Sequence, residues 1–565
     1  MAKVTVDGID VEVPQGTTVL RAAKQAGVDI PVFCYHPGLT IPANCRMCLV
    51  EIEKSPKPLP ACYTEVTDGM IVRTKTDKVK ATQAAVLEFI LLNHPVDCPV
   101  CDQAGECVLQ EHYITYSAKA SRLDHHKIGK PKAKILGPTV ILDAERCVVC
   151  TRCVRFCDEV SKSHELTVES RGELSEITMP EGVELNNPYS LNVVDICPVG
   201  ALTSRQFRFQ RRVWFLDMKN SVCTGCARGC SVRVDSHKNK VERLVPRYNP
   251  DVNKYWMCDD GRESLHPRRE KALILGQVPG PNETVREAPA LDGLRAVGGW
   301  LKESQEGLGI AISASLTNED AYAWARLAKL LGARVYLLKR ESWRGDDVLR
   351  LTDRDCNDAG VRAVLTALVP DFGDVQQLVA DAESLDTLLI LDNEIATTEA
   401  LIDAISAIAN VAVLTDLAGP LTEAATVVIP LTQLHAREGT IVNAPTADRP
   451  GWAQRIASPL KASVTTIAPV SAAAVLAHHV LGHGEHAIEL DFTEKTRPAE
   501  LFERIAHTVP AFAGLSYAEI ADHGRGLPQN GVLAPARSQI NGTPEWEPDP
   551  VAPTYIRPFA IRRGA

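Results

Sequence analysis

Nowhere in this sequence do about eighteen apolar residues run together, as a membrane-spanning helix requires. The best apolar stretch, Val86 to Leu92, is broken by Glu88. Met1 leads straight into Val4-Thr5-Val6-Asp7-Gly8, without a basic-then-apolar leader or an Arg-rich presequence. These absences predict a soluble, cytoplasmic chain whose membrane contact, if any, is borrowed from a partner. Basic excess is missing too: a net charge of -10 and a pI near 5.9 argue against nucleic acid or an acidic membrane surface as the main partner. Aromatic residues are scarce, at 5%. There is no G-x-G-x-x-G and no P-loop, so no nucleotide fingerprint. Cysteine nearly vanishes after Cys258: of 17, only Cys356 lies beyond it. An odd, front-loaded set behind no leader speaks for metal rather than disulfides.

What is present is organised around one run. Cys147, Cys150, Cys153 and Cys157 stand at C-x2-C-x2-C-x3-C, the spacing with which ferredoxin-type proteins wrap a 4Fe-4S cube. A zinc site usually takes its ligands as separated pairs, so this triple fits zinc poorly. In two-cluster ferredoxins the fourth cysteine of one run, followed by Pro, serves the other cluster. Here the downstream Cys-Pro is Cys197-Pro198, and stepping back by the same spacing lands on Val193, Ser190 and Asn187. A second run has lost three thiols, which predicts one cube held by Cys147, Cys150, Cys153 and Cys197, with Cys157 left over. Arg146, Arg152 and Arg155 surround the run and would favour the reduced state of an anionic cube.

At 565 residues there is room for about three or four domains. Val4 to Val13 reads as a hairpin turned at Asp7-Gly8, followed by a short helix over Thr18 to Ala26. Then comes C-x10-C-x2-C-x13-C, made by Cys34, Cys45, Cys48 and Cys62. One long loop plus a distant cysteine suits a 2Fe-2S centre; a four-cysteine zinc knuckle is the alternative. A helix over Thr76 to Asn93 closes at His94-Pro95. Cys98, Cys101 and Cys107 follow and need a fourth ligand; His94 is the nearest candidate and His112 the runner-up. Cys223, Cys226, Cys230 and Cys258 form a fourth set, whose spacing suits a 4Fe-4S cube or a zinc ribbon equally. Asp235 to Val245 reads as a strand hairpin.

Beyond about residue 270, strands near Ile310, Val335, Thr387, Val411 and Thr426 alternate with helices, one opening at Thr317 and stopping at Gly332. This predicts a parallel α/β arrangement. Past about Gly526, Pro-rich stretches predict an extended tail.

Seven stretches carry a resemblance. They are Cys34-Tyr-His-Pro-Gly38, Asn44-Cys-Arg-Met-Cys48, Asn93-His-Pro-Val-Asp-Cys98, Cys150-Thr-Arg-Cys-Val-Arg-Phe156, Asp195-Ile-Cys-Pro-Val-Gly-Ala-Leu202, Cys223-Thr-Gly-Cys-Ala-Arg-Gly-Cys230 and Trp256-Met-Cys-Asp-Asp-Gly-Arg262. With these the chain resembles the large iron-sulfur subunits of bacterial NADH-quinone oxidoreductase (respiratory complex I). Val427-Val-Ile-Pro430 and Glu438-Gly-Thr-Ile-Val-Asn443 resemble more loosely a reduced molybdopterin-oxidoreductase domain.

The resemblance implies α+β followed by α/β. A β-grasp 2Fe-2S ferredoxin domain spans 1–78, a His/Cys-ligated 4Fe-4S domain 79–118 and a ferredoxin-like 4Fe-4S domain 119–215. A 4Fe-4S domain of molybdopterin-oxidoreductase type spans 216–272, a degenerate α/β domain 273–525 and the tail 526–565. His94 is implied as the ligand beside Cys98, Cys101 and Cys107, and a 4Fe-4S cube at the Cys223 set. One 2Fe-2S and three 4Fe-4S clusters are implied, with no molybdopterin. The implied role is electron relay from an FMN- and NADH-binding subunit towards quinone-side iron-sulfur subunits, peripheral on the cytoplasmic side of the bacterial inner membrane. No complete active site lies in this chain alone. A molybdenum-dependent formate dehydrogenase is the rival; it needs a metal-bound cysteine, for which Cys356 is the one candidate.

Overall fold

A computed structural model describes residues 1–529 apart from 118–119, 304–306, 393, 446–449, 483–489 and 521–522. The described residues divide into two units, Met1–Leu216 and those from Asp217 onward. Among the described residues no helix is long and apolar enough to cross a membrane.

The first unit begins with the hairpin that the Asp7-Gly8 pair dictates. Ala2–Val6 and Ile9–Val13 pair antiparallel, and Asp7 (φ 47°) and Gly8 (φ 87°) supply the two left-handed positions of a tight turn. Met70–Arg73 runs parallel to Ala2–Val6, and Leu49–Ile52 and Leu59–Pro60 complete a five-stranded sheet. Helix Val19–Gln25 buries Val19, Ala22 and Ala23 in the core that also holds Val4, Val6 and Val72. The next helix, Asp77–Leu91, starts where the Thr76 hydroxyl accepts from Val79 N–H at 3.2 Å. Strand Val140–Leu142 then pairs antiparallel with Leu202–Ser204, bringing two distant stretches of chain side by side.

In the second unit, Asp217–Val222, Ser231–His237 and Lys240–Pro246 form an antiparallel sheet. Asp235, fully buried on it, is gripped by the guanidinium groups of Arg233 and Arg243, so its charge is compensated where water cannot reach. A seven-stranded sheet follows. Val427–Pro430, Asn410–Thr415, Thr387–Leu391, Leu308–Ser313 and Arg334–Leu338 lie parallel in that order. Helix Asn318–Leu331 begins at the Thr317 cap and stops at Gly332 (φ 64°), burying Tyr322 and Trp324 completely.

The five expected strands are parallel, and the sheet carries in addition a flank not expected from the sequence. Gly276–Pro279 and Val285–Ala288 add an antiparallel flank beside Val427–Pro430. Both segments are four residues long, and the Gly and Pro of Gly276–Pro279 weaken its strand signal further. Gly276 is required there, because a Cβ would stand 1.9 Å from the Val428 carbonyl oxygen. Arg525–Gly526 pair with Trp452–Ile456, and Leu527 N–H donates to Gly451 O at 2.8 Å. The rest of the expected tail, from 530, lies outside the described residues.

Candidate metal centres

All 17 cysteines are free thiols, and 16 of them fall into or beside four sets. Cys48 ends the long loop and Cys62 follows strand Leu59–Pro60. The ladder between them, with Ala61 N–H donating to Cys48 O at 3.0 Å, brings the two together. The Cys48 and Cys62 thiols are hydrogen-bonded, as are those of Cys34 and Cys45. The hydrogen bond between them pulls the Cys45 thiol down and pushes Cys34 up. Ala43 (φ 51°) and Arg46 (φ 59°) take left-handed conformations that curl the loop around Cys45.

Cys147, Cys150, Cys153 and Cys197 line one small cavity, closed by Leu142, Ile177, Val199 and Leu202. The pairing of Val140–Leu142 with Leu202–Ser204 makes this possible, since Cys147 and Cys197 flank those strands. Val149 (φ 49°) and Thr151 (φ 60°) hold left-handed conformations on either side of Cys150. For β-branched residues this costs about 1–3 kcal/mol each, and such strain gathers at functional sites. Val149 N–H points to the Cys147 sulfur at 3.4 Å. Cys157 does not line the cavity; it is buried, with its thiol against Ser163 and Ser161.

His94, Cys98 and Cys107 line a separate cavity of about 710 Å³. Cys101 does not line it, although its charge interacts with that of Cys98 and Cys107. His94 Nδ1 is buried and has no hydrogen-bond partner among the described residues. Burial lowers the His94 pKa to about 4, so the ring is neutral and keeps a lone pair to donate. His112 is differently engaged: a ring nitrogen lies 3.2 Å from Val32 O, and the ring stands edge-on to Phe33.

These sets adjoin. Arg152 reaches Tyr35 O beside Cys34 at 2.6 Å and Ile196 O beside Cys197 at 3.0 Å. Pro198 O receives Val108 N–H, next to Cys107, at 3.0 Å. A Cβ on Gly200 would stand 2.3 Å from the Cys101 sulfur, so only glycine lets these loops approach. The Arg146 guanidinium forks onto Asp97, the neighbour of Cys98, and also pairs with Asp143. Neither the reach of Arg152 to Tyr35 nor the closeness of Gly200 to Cys101 is visible in sequence spacing.

The second unit holds the Cys223 set. Cys223 and Cys230 stand just past the paired residue Val222 and just before its partner Ser231, with Cys223 N–H donating to Cys230 O at 2.8 Å. Gly225 N–H and Gly261 N–H point to the sulfurs of Cys223 and Cys258, each at 3.4 Å. The charge of Cys230 interacts with Cys223, Cys226 and Cys258. Cys356 is fully buried, packed with Val222, Leu434, Ile441 and Ile456, and its thiol donates to Ser315 O at 3.6 Å; the charges of Arg340 and Cys223 also act on it.

The donor chemistry fits clusters. Burial, reinforced by neighbouring cysteines, pushes the Cys107, Cys147 and Cys223 thiols up to about 12 and Cys197 to about 11. Crowded, water-excluded thiols ionise when a cationic centre compensates them, and the backbone N–H groups aimed at sulfur assist. Among the described residues, no group of three or more His, Cys, Asp or Glu side chains is arranged to hold a metal ion.

Four family models match separate stretches. Residues 1–77 match a 2Fe-2S iron-sulfur cluster binding domain, and 83–122 the NADH-ubiquinone oxidoreductase-G iron-sulfur binding region. Residues 137–203 match the ferredoxin-like domain of NADH-quinone oxidoreductase subunit 3, and 217–266 the NADH-ubiquinone oxidoreductase NDSU1/NuoG-like 4Fe-4S domain. The chain is similar to the G subunit of NADH-quinone oxidoreductase. The G subunit from Rickettsia felis is 38% identical over 351 residues, which are 62% of this chain and 52% of that protein. The NADH-ubiquinone oxidoreductase 75 kDa subunit of Reclinomonas americana is 45% identical over 262 residues, 46% of this chain and 38% of that one. This chain thus spans about half, or less, of the length of the curated relatives it matches. Among solved structures, an NAD+-reducing [NiFe]-hydrogenase aligns with a TM-score of 0.34 and 27% identity over 38% of this chain and 91% of that one. The family matches show iron-sulfur binding of both the 2Fe-2S and the 4Fe-4S kind.

Proposed function

We propose that this chain is an electron-relay subunit of a NADH:quinone oxidoreductase, working between an FMN-bearing, NADH-binding subunit and quinone-side iron-sulfur subunits. The observation that carries the proposal is the adjacency, within one unit, of three thiol sets joined by Arg152, Pro198 and Gly200. Cys34, Cys45, Cys48 and Cys62 would hold a 2Fe-2S cluster; His94, Cys98, Cys101 and Cys107, then Cys147, Cys150, Cys153 and Cys197, a 4Fe-4S cluster each. Cys223, Cys226, Cys230 and Cys258 would hold a third 4Fe-4S cluster in the other unit. Bound there, such clusters would supply one-electron carriers.

The chain's own residues set the conditions for that chemistry. Burial of the thiols excludes water, N–H groups directed at sulfur and the guanidinium of Arg152 stabilise negative charge, and the strained loop at Val149 and Thr151 fixes Cys150. The four metal-binding domains would span 1–78, 79–118, 119–215 and 216–272. No molybdopterin is part of the proposal: Cys356, the cysteine a molybdenum enzyme would need on its metal, is fully buried with its thiol engaged by Ser315 O. In the assembled complex the chain would sit peripherally on the cytoplasmic side of the bacterial inner membrane and meet lipid only through its partners.

Rapid freezing of the assembled complex after mixing with NADH tests the proposal. EPR signals assigned to this chain should appear within the turnover time. Full turnover with those signals silent would contradict it.

A further inference from the structure

The Arg152 guanidinium is fully buried, and among the described residues no carboxylate pairs with it. One terminal nitrogen donates to Ile196 O at 3.0 Å and the other to Tyr35 O at 2.6 Å. Those carbonyls belong to the immediate neighbours of Cys197 and Cys34, which stand in two different sets. Nε is buried without a partner among the described residues. The groups around Arg152 that can carry the opposite charge are the sulfurs of Cys150, Cys197 and Cys34, which become thiolates when they ligate a cationic centre; the Arg155 charge opposes it.

An uncompensated cation in a dry interior costs several kcal/mol. Folding tolerates it where an anionic group lies close by, and here the anions available are the two thiol sets. Arg155, less buried, spans the same two sets: it donates to Cys34 O at 2.6 Å and to Cys150 O at 3.3 Å. Its Nε lies 3.4 Å from Thr151 Oγ1. Asn44 adds a contact to Val149 O at 3.4 Å.

We propose that Arg152 is a positioning residue shared by two centres: its single charge is the common counter-ion of the Cys34 and Cys147 sets, and its fork fixes their spacing. This rests on the reading that both sets hold iron-sulfur clusters. A nearby cation stabilises the more negative, reduced state, so its removal lowers both potentials together.

Potentiometric EPR of the full chain tests this, reading the binuclear and cubic signals separately by their temperature dependence. In Arg152→Gln both centres should become harder to reduce, each by about tenfold in its reduction equilibrium, or about 59 mV for one electron. The centre of the Cys223 set should stay where it was. Should that variant fail to load iron, Arg152→Lys decides: the charge remains, but one ammonium cannot reach both carbonyls. Both signals should then persist and shift down together by about threefold. Signals present but unmoved, or a shift in one centre alone, would overturn the role given to Arg152 and leave the cluster reading standing. Absence of both signals from the unsubstituted chain would overturn the cluster reading and this inference with it.

Discussion

On the proposed function, His94→Ala should remove one cubic centre and stop electron flow through the assembled complex. Nδ1 of His94 is a buried, neutral nitrogen without a hydrogen-bond partner among the described residues, beside Cys98 and Cys107. A buried polar atom left unsatisfied costs about 1–3 kcal/mol, which a metal bond removes. Alanine leaves Cys98 and Cys107 on the wall of a cavity of about 710 Å³, large enough to admit water to an incomplete cube. Iron should fall by about four atoms per chain, the content of one cube. His112→Ala should leave iron unchanged, because that ring is engaged with Val32 O. His94→Cys separates ligation from packing. A fourth thiolate restores the iron, but replacing neutral imidazole by an anion lowers the potential. Unchanged iron in His94→Ala, or loss of iron in His112→Ala, would reverse the ligand assignment.

The second large effect distinguishes two cysteines that spacing alone confuses. Cys197→Ala should empty the Cys147 set, whereas Cys157→Ala should leave every cluster in place. Cys197 shares its cavity with Cys147, Cys150 and Cys153, while Cys157 lies outside that lining against Ser161 and Ser163. Loss of the Cys157 sulfur is a small packing defect, about 1 kcal/mol of stability. Iron analysis and thermal unfolding of the two variants read the difference. Equal iron loss in both would mean that Cys157 also supports the cube.

Much of this arrangement is legible in the sequence because iron-sulfur ligation imposes spacing on the chain itself. The runs at Cys147 and Cys223 and the Asp7-Gly8 turn are local patterns, and local patterns survive in sequence. The antiparallel flank at Gly276–Pro279 is not legible, since four residues with Gly and Pro carry almost no strand signal. The double reach of Arg152 is hidden for another reason. Its contact with Tyr35 spans 117 positions. Spacing suggests a cation near the cube, yet only folding places the same guanidinium beside the Cys34 set. Gly200 likewise looks like an ordinary loop glycine until the Cys101 sulfur is found where its Cβ would be. Contacts between elements depend on packing, which no periodicity encodes.

Iron and acid-labile sulfide, measured on the purified chain together with its zinc content, test the central claim most directly. Two irons from one binuclear centre and four from each of three cubes predict about 14 iron and about 14 sulfide per chain, with visible absorbance that bleaches on reduction. A colourless chain carrying zinc in place of iron and sulfide would contradict it.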